Sequence, residues 1–199
     1  VAVRGQGAVE VPDMPRMKLF LDEIFARFNA NPATAEILPR YGTPVMVNAN
    51  NSLGLFGYKN WQDEFYPDAE GLSGDTMRKK IVKRDKSCFA CPARCGKFSI
   101  GGPGPYEGVR NEGPEYEDIF SLGSMCGHND IEVVSAAERL CDDLGVDAIE
   151  TGVSIAFAME CFERGLLSLK DTDGIDLKFG RADLIIPVIE KIAQRDGAL

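Results

Sequence analysis

Residues 111–167 read NEGPEYEDIFSLGSMCGHNDIEVVSAAERLCDDLGVDAIETGVSIAFAMECFERGLL, and three helices follow one another in them. Pro114 with acids close behind is helix-start chemistry. Proline loses nothing where the N–H has no partner, and acids suit the positive end of the helix dipole. That helix is read through Leu122. Asn129 and Asp130 cap a second one, whose apolar face is Val133, Val134, Ala137, Leu140, Cys141 and Leu144. Gly145 then stands where a left-handed residue ends a helix. Residues 148–164 make a third, almost wholly apolar helix, in which Gly152, Ser154, Ala156 and Ala158 permit close backbone approach. A helix that is apolar all round is expected to be buried. The fold class is mainly α.

Outward toward the N-terminus the pattern is less regular. Residues 101–108, GGPGPYEG, are a rigid turn, and a helical pattern running from near Gly74 toward Lys86 delivers the chain to a group of cysteines. Residues 50–63 are a Gly- and Asn-rich loop, long enough to be functional. TPVMVN, residues 43–48, reads as a short strand. Before it, Asp13 caps a helix with Pro15 in its first turn and an apolar stripe of Leu19, Phe20, Ile24 and Phe28, stopped by Asn31 and Pro32. The opening VAVRGQG alternates like a strand. Toward the C-terminus, residues 171–174 turn the chain into an amphipathic helix at 181–195. There is no initial Met, and IAQRDGAL closes a helix without a tail, so the chain is read as a segment of a larger protein.

With 199 residues, 44% of them hydrophobic, the chain is long enough for one domain with a real core, or one domain and the edge of another. Net charge is −9, from 22 Lys+Arg against 31 Asp+Glu, and no basic run interleaves with aromatics, which excludes nucleic acid as a partner class. Apolar runs fall well short of the roughly 18 residues of a membrane span. Six cysteines would suit three disulfides in a small secreted domain, but this chain is too long and core-rich to need them. Three are packed into CFACPARC, residues 88–95, and three are scattered. The expected setting is a reducing, cytoplasmic one with a metal site.

Cys88, Cys91 and Cys95 form a C-x2-C-x3-C run. Thiolates at that spacing converge only if the chain loops around a soft metal centre, and Pro92 stiffens the loop. A closed zinc site needs four ligands, and so does an iron–sulfur cube. From spacing alone the alternatives are a zinc knuckle completed by Cys126 or His128, a stand-alone iron–sulfur electron carrier completed by Cys126, and unligated structural cysteines. His128 is the only histidine, and beside a helix start it reads as a capping or surface residue.

CFACPARC, GPEYE, the CDDLGVD segment, the TG-x-x-IAFAME helix and DTDG together resemble the aldehyde:ferredoxin oxidoreductase family of tungsten enzymes. VAVRG and PRYGTP also fit, so the resemblance covers essentially the whole chain. Family proteins have an N-terminal β-rich domain that cradles two pterins, followed by two largely helical domains. The resemblance implies that residues 1–10 end the pterin-cradling domain and that 11–199 are the first helical domain. It implies that Cys88, Cys91 and Cys95 hold a [4Fe–4S] cluster beside a tungsten (or molybdenum) bis-pterin, the fourth ligand being a Cys of the following domain.

The family's D-x-x-G-L-(C/D) pterin motif reads here Asp142, Asp143, Leu144, Gly145, Val146, Asp147, with Val in place of Leu. A pterin's amino-pyrimidine edge presents adjacent N–H donors, which a carboxylate such as Asp142 or Asp147 accepts as a pair. Gly145 lets the backbone turn and approach the ring. The family's catalytic glutamate falls in GPEYE, as Glu117 or else Glu115. The implied reaction is oxidation of an aldehyde to a carboxylic acid, with ferredoxin as acceptor. A branch of the family that reduces aromatic acyl-CoA thioesters is the rival, against which GPEYE argues. Some members hold an iron at a dimer interface through Glu-x-x-His. The corresponding residues here are Ala136 and Arg139, so a homodimer would not use that iron.

Overall fold

Asp13 starts the first helix: its carboxylate accepts from the Arg16 N–H at 2.9 Å, and α1 runs Met14–Ala30 in the computed structural model, which describes residues 4–197. Asn31 ends it, as expected. Of the opening strand, residues 1–3 lie outside the described residues and 4–10 have no regular structure. The apolar stripe of α1 is largely uncovered. Leu19 is 72% and Phe20 58% exposed, while Ile24 and Phe28 are half-buried.

A wide turn (Ala33–Ile37) leads into α2 (Leu38–Tyr41). Residues 43–48 are helical, not a strand. Gly42, at φ 69°, turns the backbone, Pro44 sits in the tight turn Thr43–Val45, and α3 (Met46–Ser52) continues from it. The inward residues are Pro44, Val47 and Asn51, a helical spacing that no strand could bury on one face. Asn51 then ties down the loop that follows, exchanging two hydrogen bonds with the Tyr66 backbone at 2.8 and 2.9 Å.

The helix expected to run toward Lys86 is shorter. Ser73 caps α4 (Gly74–Lys80), accepting from Thr76 N–H at 3.1 Å, and the chain after Ile81 becomes β1 (Val82–Asp85). It pairs antiparallel with β2 (Lys97–Ile100), which pairs with β3 (Arg110–Glu112), in the order β1-β2-β3. Pairing lays Arg84 over the Phe98 ring at 4.8 Å and separates basic residues that a continued helix would stack. Short strands were expected near the N-terminus; those described lie in the middle of the chain.

Glu115 caps α5 (Tyr116–Asp118), so Pro114 precedes the helix rather than opening it. The helix widens over Ile119–Ser124, a stretch that is buried except for Phe120. Asp130 caps α6 (Ile131–Leu144), accepting from Glu132 and Val133 N–H at 3.0 and 3.4 Å. Gly145 closes it in the left-handed conformation, φ 70° and ψ 35°. α7 (Ala148–Glu163) crosses the widened stretch at Gly152, where an added Cβ would lie 2.6 Å from the Ser121 carbonyl carbon. It is not buried all round: Thr151, Gly152, Ile155, Ala156 and Met159 face the core, and Phe157 is 62% exposed. After a tight turn (Ala182–Leu184), α8 (Ile185–Gln194) packs against α6. The core centres on Ile119, Leu122, Ile131, Val134, Ile155, Met159 and Ile189. Among the described residues no helix is long and apolar enough to cross a membrane.

Candidate cofactor site

The three clustered cysteines sit in the connection between β1 and β2. Lys86 N–H donates to Gly96 C=O at 2.8 Å and closes the neck of the connecting loop, residues 86–96. Within it Cys91 N–H donates to Cys88 C=O at 3.1 Å, and Ala90 and Arg94 adopt positive φ, which turns the chain twice. Cys88 is exposed; Cys91 and Cys95 are half-buried. Among the described residues no three His, Cys, Asp or Glu side chains are arranged to hold a metal ion, so the loop presents its thiols without drawing them onto one point. Three soft thiols on one turned loop fit an iron–sulfur or zinc centre as a donor set, and a metal ion supplies the convergence that thiols alone lack.

The C-terminal arm of this loop is held from beneath. Lys97 is 1% exposed, and its Nζ donates to the carbonyls of Pro39 at 3.0 Å, Cys95 at 2.9 Å and Gly96 at 3.2 Å, with Arg94 and Leu38 at 3.3 and 3.4 Å. Asp85 lies 3.5 Å away. Burial pulls the Lys97 ammonium below its ordinary range, and Asp85 opposes the pull. Gly42 completes the seat: an added Cβ would come within 2.6 Å of the Cys95 carbonyl oxygen.

Glu115 and Glu117 are separated by their surroundings. Glu115 is half-buried and accepts from Thr43 Oγ1 at 2.5 Å, while its own N–H donates to Asp118 Oδ2 at 3.1 Å in a capping box. Glu117 projects from the first turn of α5, exposed, with neither a hydrogen bond nor an ion pair among the described residues. Asp142, Gly145 and Asp147 lie on an open face where α6 turns into α7. The Asp142 carboxylate has no hydrogen bond or ion pair among the described residues, and nothing lies within 4 Å of where a Gly145 Cβ would be. A flat ring edge can reach that backbone. Asp147 is exposed, but its Oδ1 accepts from Glu150 N–H at 2.8 Å and caps α7.

Between these groups lies a buried carboxyl pair that the motifs do not include. Glu138 is 8% exposed, and its Oε2 accepts from Asn111 Nδ2 at 2.5 Å. It packs on Gly113, where an added Cβ would be 2.6 Å from Oε1. Burial, then the Asp118 charge, pushes the Glu138 carboxyl well above the usual carboxylate range; burial pushes Asp118 up to about 6. The signal was present: Glu138 falls in phase with the buried Ile131, Val134 and Cys141 on α6. Lys97 carried no such signal, because β2 turns its polar residues Lys97 and Ser99 inward.

The remaining sulfur and imidazole groups serve the core. Cys126 is fully buried, its thiol directed at the Ser121 and Gly152 carbonyls at 3.5 and 3.6 Å, and burial pushes it far above the ordinary thiol range. Its burial in the core sets it apart from the cysteine loop, where Cys88 is exposed. Cys141 is buried in α6 and Cys161 half-buried in α7. His128 is not a surface residue. It is 5% exposed, its Nδ1 accepts from Asp130 N–H at 3.3 Å, and burial pulls it down to about 4, so it is neutral. Of the two residues read against a Glu-x-x-His pattern, Ala136 is buried and Arg139 is held by Asp143 at 2.5 and 3.0 Å.

Residues 20–199 match the family model described as "Aldehyde ferredoxin oxidoreductase, domains 2 & 3". The chain is 37% identical over 198 residues to the tungsten-containing aldehyde ferredoxin oxidoreductase of Pyrococcus furiosus, and 36% identical to its counterpart from Thermococcus kodakarensis. It is also 27% identical to the WOR-like subunit of an aliphatic sulfonate oxidoreductase of Pyrococcus furiosus. The first of these alignments covers 99% of this chain and 32% of the relative, so the chain spans about a third of the length of the curated relatives it matches. On the family match and these identities, the chain belongs to the aldehyde ferredoxin oxidoreductase family.

Proposed function

We propose that this chain is the first helical domain of a tungsten–pterin, [4Fe–4S] oxidoreductase that oxidises aldehydes to carboxylic acids and passes the electrons to ferredoxin. One observation carries the reading. The similarity to tungsten-containing aldehyde ferredoxin oxidoreductases spans 99% of the chain, and so includes the cysteine loop, GPEYE and the Asp142 turn together. The relative named for aliphatic sulfonates is less similar, at 27% identity, which favours an aldehyde as substrate.

In this reading Cys88, Cys91 and Cys95 are three ligands of the cluster, and the fourth comes from outside this chain. Asp142 would accept from the N–H edge of a pterin, Gly145 would leave room for the ring to approach, and Asp147 fixes the start of α7. When bound, a tungsten–pterin group would supply the two-electron acceptor that aldehyde oxidation needs. Aldehyde and water become a carboxylic acid, two protons and two electrons, so protons must be taken up close to the reacting carbon. Glu117 is the acceptor: its carboxylate is uncommitted and exposed, whereas Glu115 is bound into the helix cap. A positioned base of this kind contributes roughly 10²–10⁴-fold. Any homodimer lacks the Glu-x-x-His iron, because Ala136 and Arg139 offer no ligand.

Metal and activity analysis of the full-length protein tests this. Tungsten, iron and acid-labile sulfide should co-purify, and aldehydes should drive reduction of ferredoxin. Zinc alone, or iron and sulfide without tungsten, would replace the proposal with an interaction module or a simple electron carrier.

A further inference from the structure

We infer that Lys97 is a positioning residue for the cysteine loop, and that its ammonium is a fixed positive charge holding the loop's metal group at a higher reduction potential. This rests on the reading of Cys88, Cys91 and Cys95 as cluster ligands. Lys97 itself belongs to none of the motifs that support that reading.

The geometry of its surroundings is the argument. A lysine ammonium offers three donors and no acceptor. Around Lys97 stand five carbonyl oxygens within 3.4 Å and one Asp85 carboxylate oxygen at 3.5 Å. All are acceptors. A neutral amine would turn its lone pair on one of them, so the cage suits only the charged form. Three of the carbonyls, from Arg94, Cys95 and Gly96, belong to the end of the cysteine loop, and two, from Leu38 and Pro39, belong to α2. The ammonium therefore clasps the Cys95 arm to a separate helix, while Gly42 leaves room for the Cys95 carbonyl on its other side. Arg78 steadies the arrangement from outside, donating to the Arg40 carbonyl at 2.6 Å and to Asp85 at 2.7 Å.

The electrostatic consequence follows from position. Lys97 is 1% exposed and two residues from Cys95, so water screens it little. Adding an electron to a thiolate-bound cluster increases its negative charge, and a nearby buried cation stabilises that state more than the oxidised one. Local charge and hydrogen bonding are among the levers that set such potentials.

The test uses the full-length protein and two variants, Lys97→Met and Asp85→Asn. Iron and sulfide content, far-ultraviolet circular dichroism and an EPR-monitored redox titration are measured for each. Lys97→Met keeps the aliphatic stem and removes the charge. It should either lose iron and sulfide with its helical signal intact, or keep the cluster at a more negative midpoint potential. Wild-type iron content and potential in Lys97→Met would overturn the inference. Should that variant fail to fold, Asp85→Asn decides. It removes a negative charge beside the ammonium and should move the potential to more positive values; an unchanged or more negative potential would overturn the inference. Iron and sulfide missing from the wild-type protein would instead sink the cluster reading itself, and this inference with it.

Discussion

Asn111 on β3 and Glu138 on α6 meet in the interior, Nδ2 to Oε2 at 2.5 Å, under the turn that presents Glu117. The contact joins the sheet carrying the cysteine loop to the helix that ends in the Asp142 turn. It also holds a carboxyl where burial and the Asp118 charge keep it protonated.

Glu138 makes stability depend on pH in a definite direction. Its folded value lies above its unfolded one, so above the ordinary glutamate range the unfolded chain binds fewer protons than the folded one. Its contribution is therefore fully present at low pH and is lost as pH rises through neutrality toward the folded value. Glu138→Gln cannot ionise and still offers Asn111 an oxygen. Chemical denaturation should find the variant equal to wild type near pH 5 and more stable near pH 8, by at least about 1 kcal/mol. A variant less stable at pH 8 would mean that Glu138 is buried as an anion.

Glu117→Gln in the full-length protein should lower aldehyde turnover by roughly 10²–10⁴-fold, with tungsten and iron content unchanged. Glu115→Gln should do something different. It disturbs the Thr43 contact and the cap of α5, costing about 1 kcal/mol of stability, and leaves turnover nearly intact. The reverse pattern would transfer the acid–base role to Glu115.

Asp142→Asn exchanges one acceptor oxygen for a donor on the open face beside Gly145. A pterin edge that presents N–H groups would be left mispaired, at a cost of about 1–3 kcal/mol. Pterin content should fall in the purified full-length protein, while its circular dichroism stays the same because Asp142 is exposed. Wild-type pterin content would remove Asp142 from the binding motif.

Gly152→Ala tests the crossing of α7 over the widened helix. Alanine is the better helix former by about 1 kcal/mol, so on propensity alone it should stabilise. The added Cβ would instead meet the Ser121 carbonyl carbon at 2.6 Å and its Cβ at 2.8 Å. Backbone cannot rotate away as a side chain can. The expected result is a net loss of about 1–3 kcal/mol in thermal or urea unfolding. A rise in stability would show that the two segments separate easily.

Local chemistry was enough to read the regular half of the molecule. Asp130 and Gly145 mark the ends of α6 because a side-chain acceptor and a left-handed turn act on their own neighbours, wherever the rest of the chain lies. The cysteine run, GPEYE and the Asp142 segment stand out as short runs for the same reason, while the roles proposed for the latter two rest chiefly on the family resemblance. Long-range packing decided the rest. Val82–Asp85 became a strand because residues 97–100 came back to pair with it, and the alternation at 43–48 was overruled when Pro44, Val47 and Asn51 found one buried face. Lys97 is a charged residue that sequence alone places at the surface, and for Glu138 the phase of α6 gives the inward direction but not the partners. Only the assembled fold supplies the partners that make their burial possible, one amide for a protonated carboxyl and five carbonyls for an ammonium. Hydrogen-bond partners drawn from α2, β3 and the cysteine loop are far apart in the chain, and no local pattern records that they will meet.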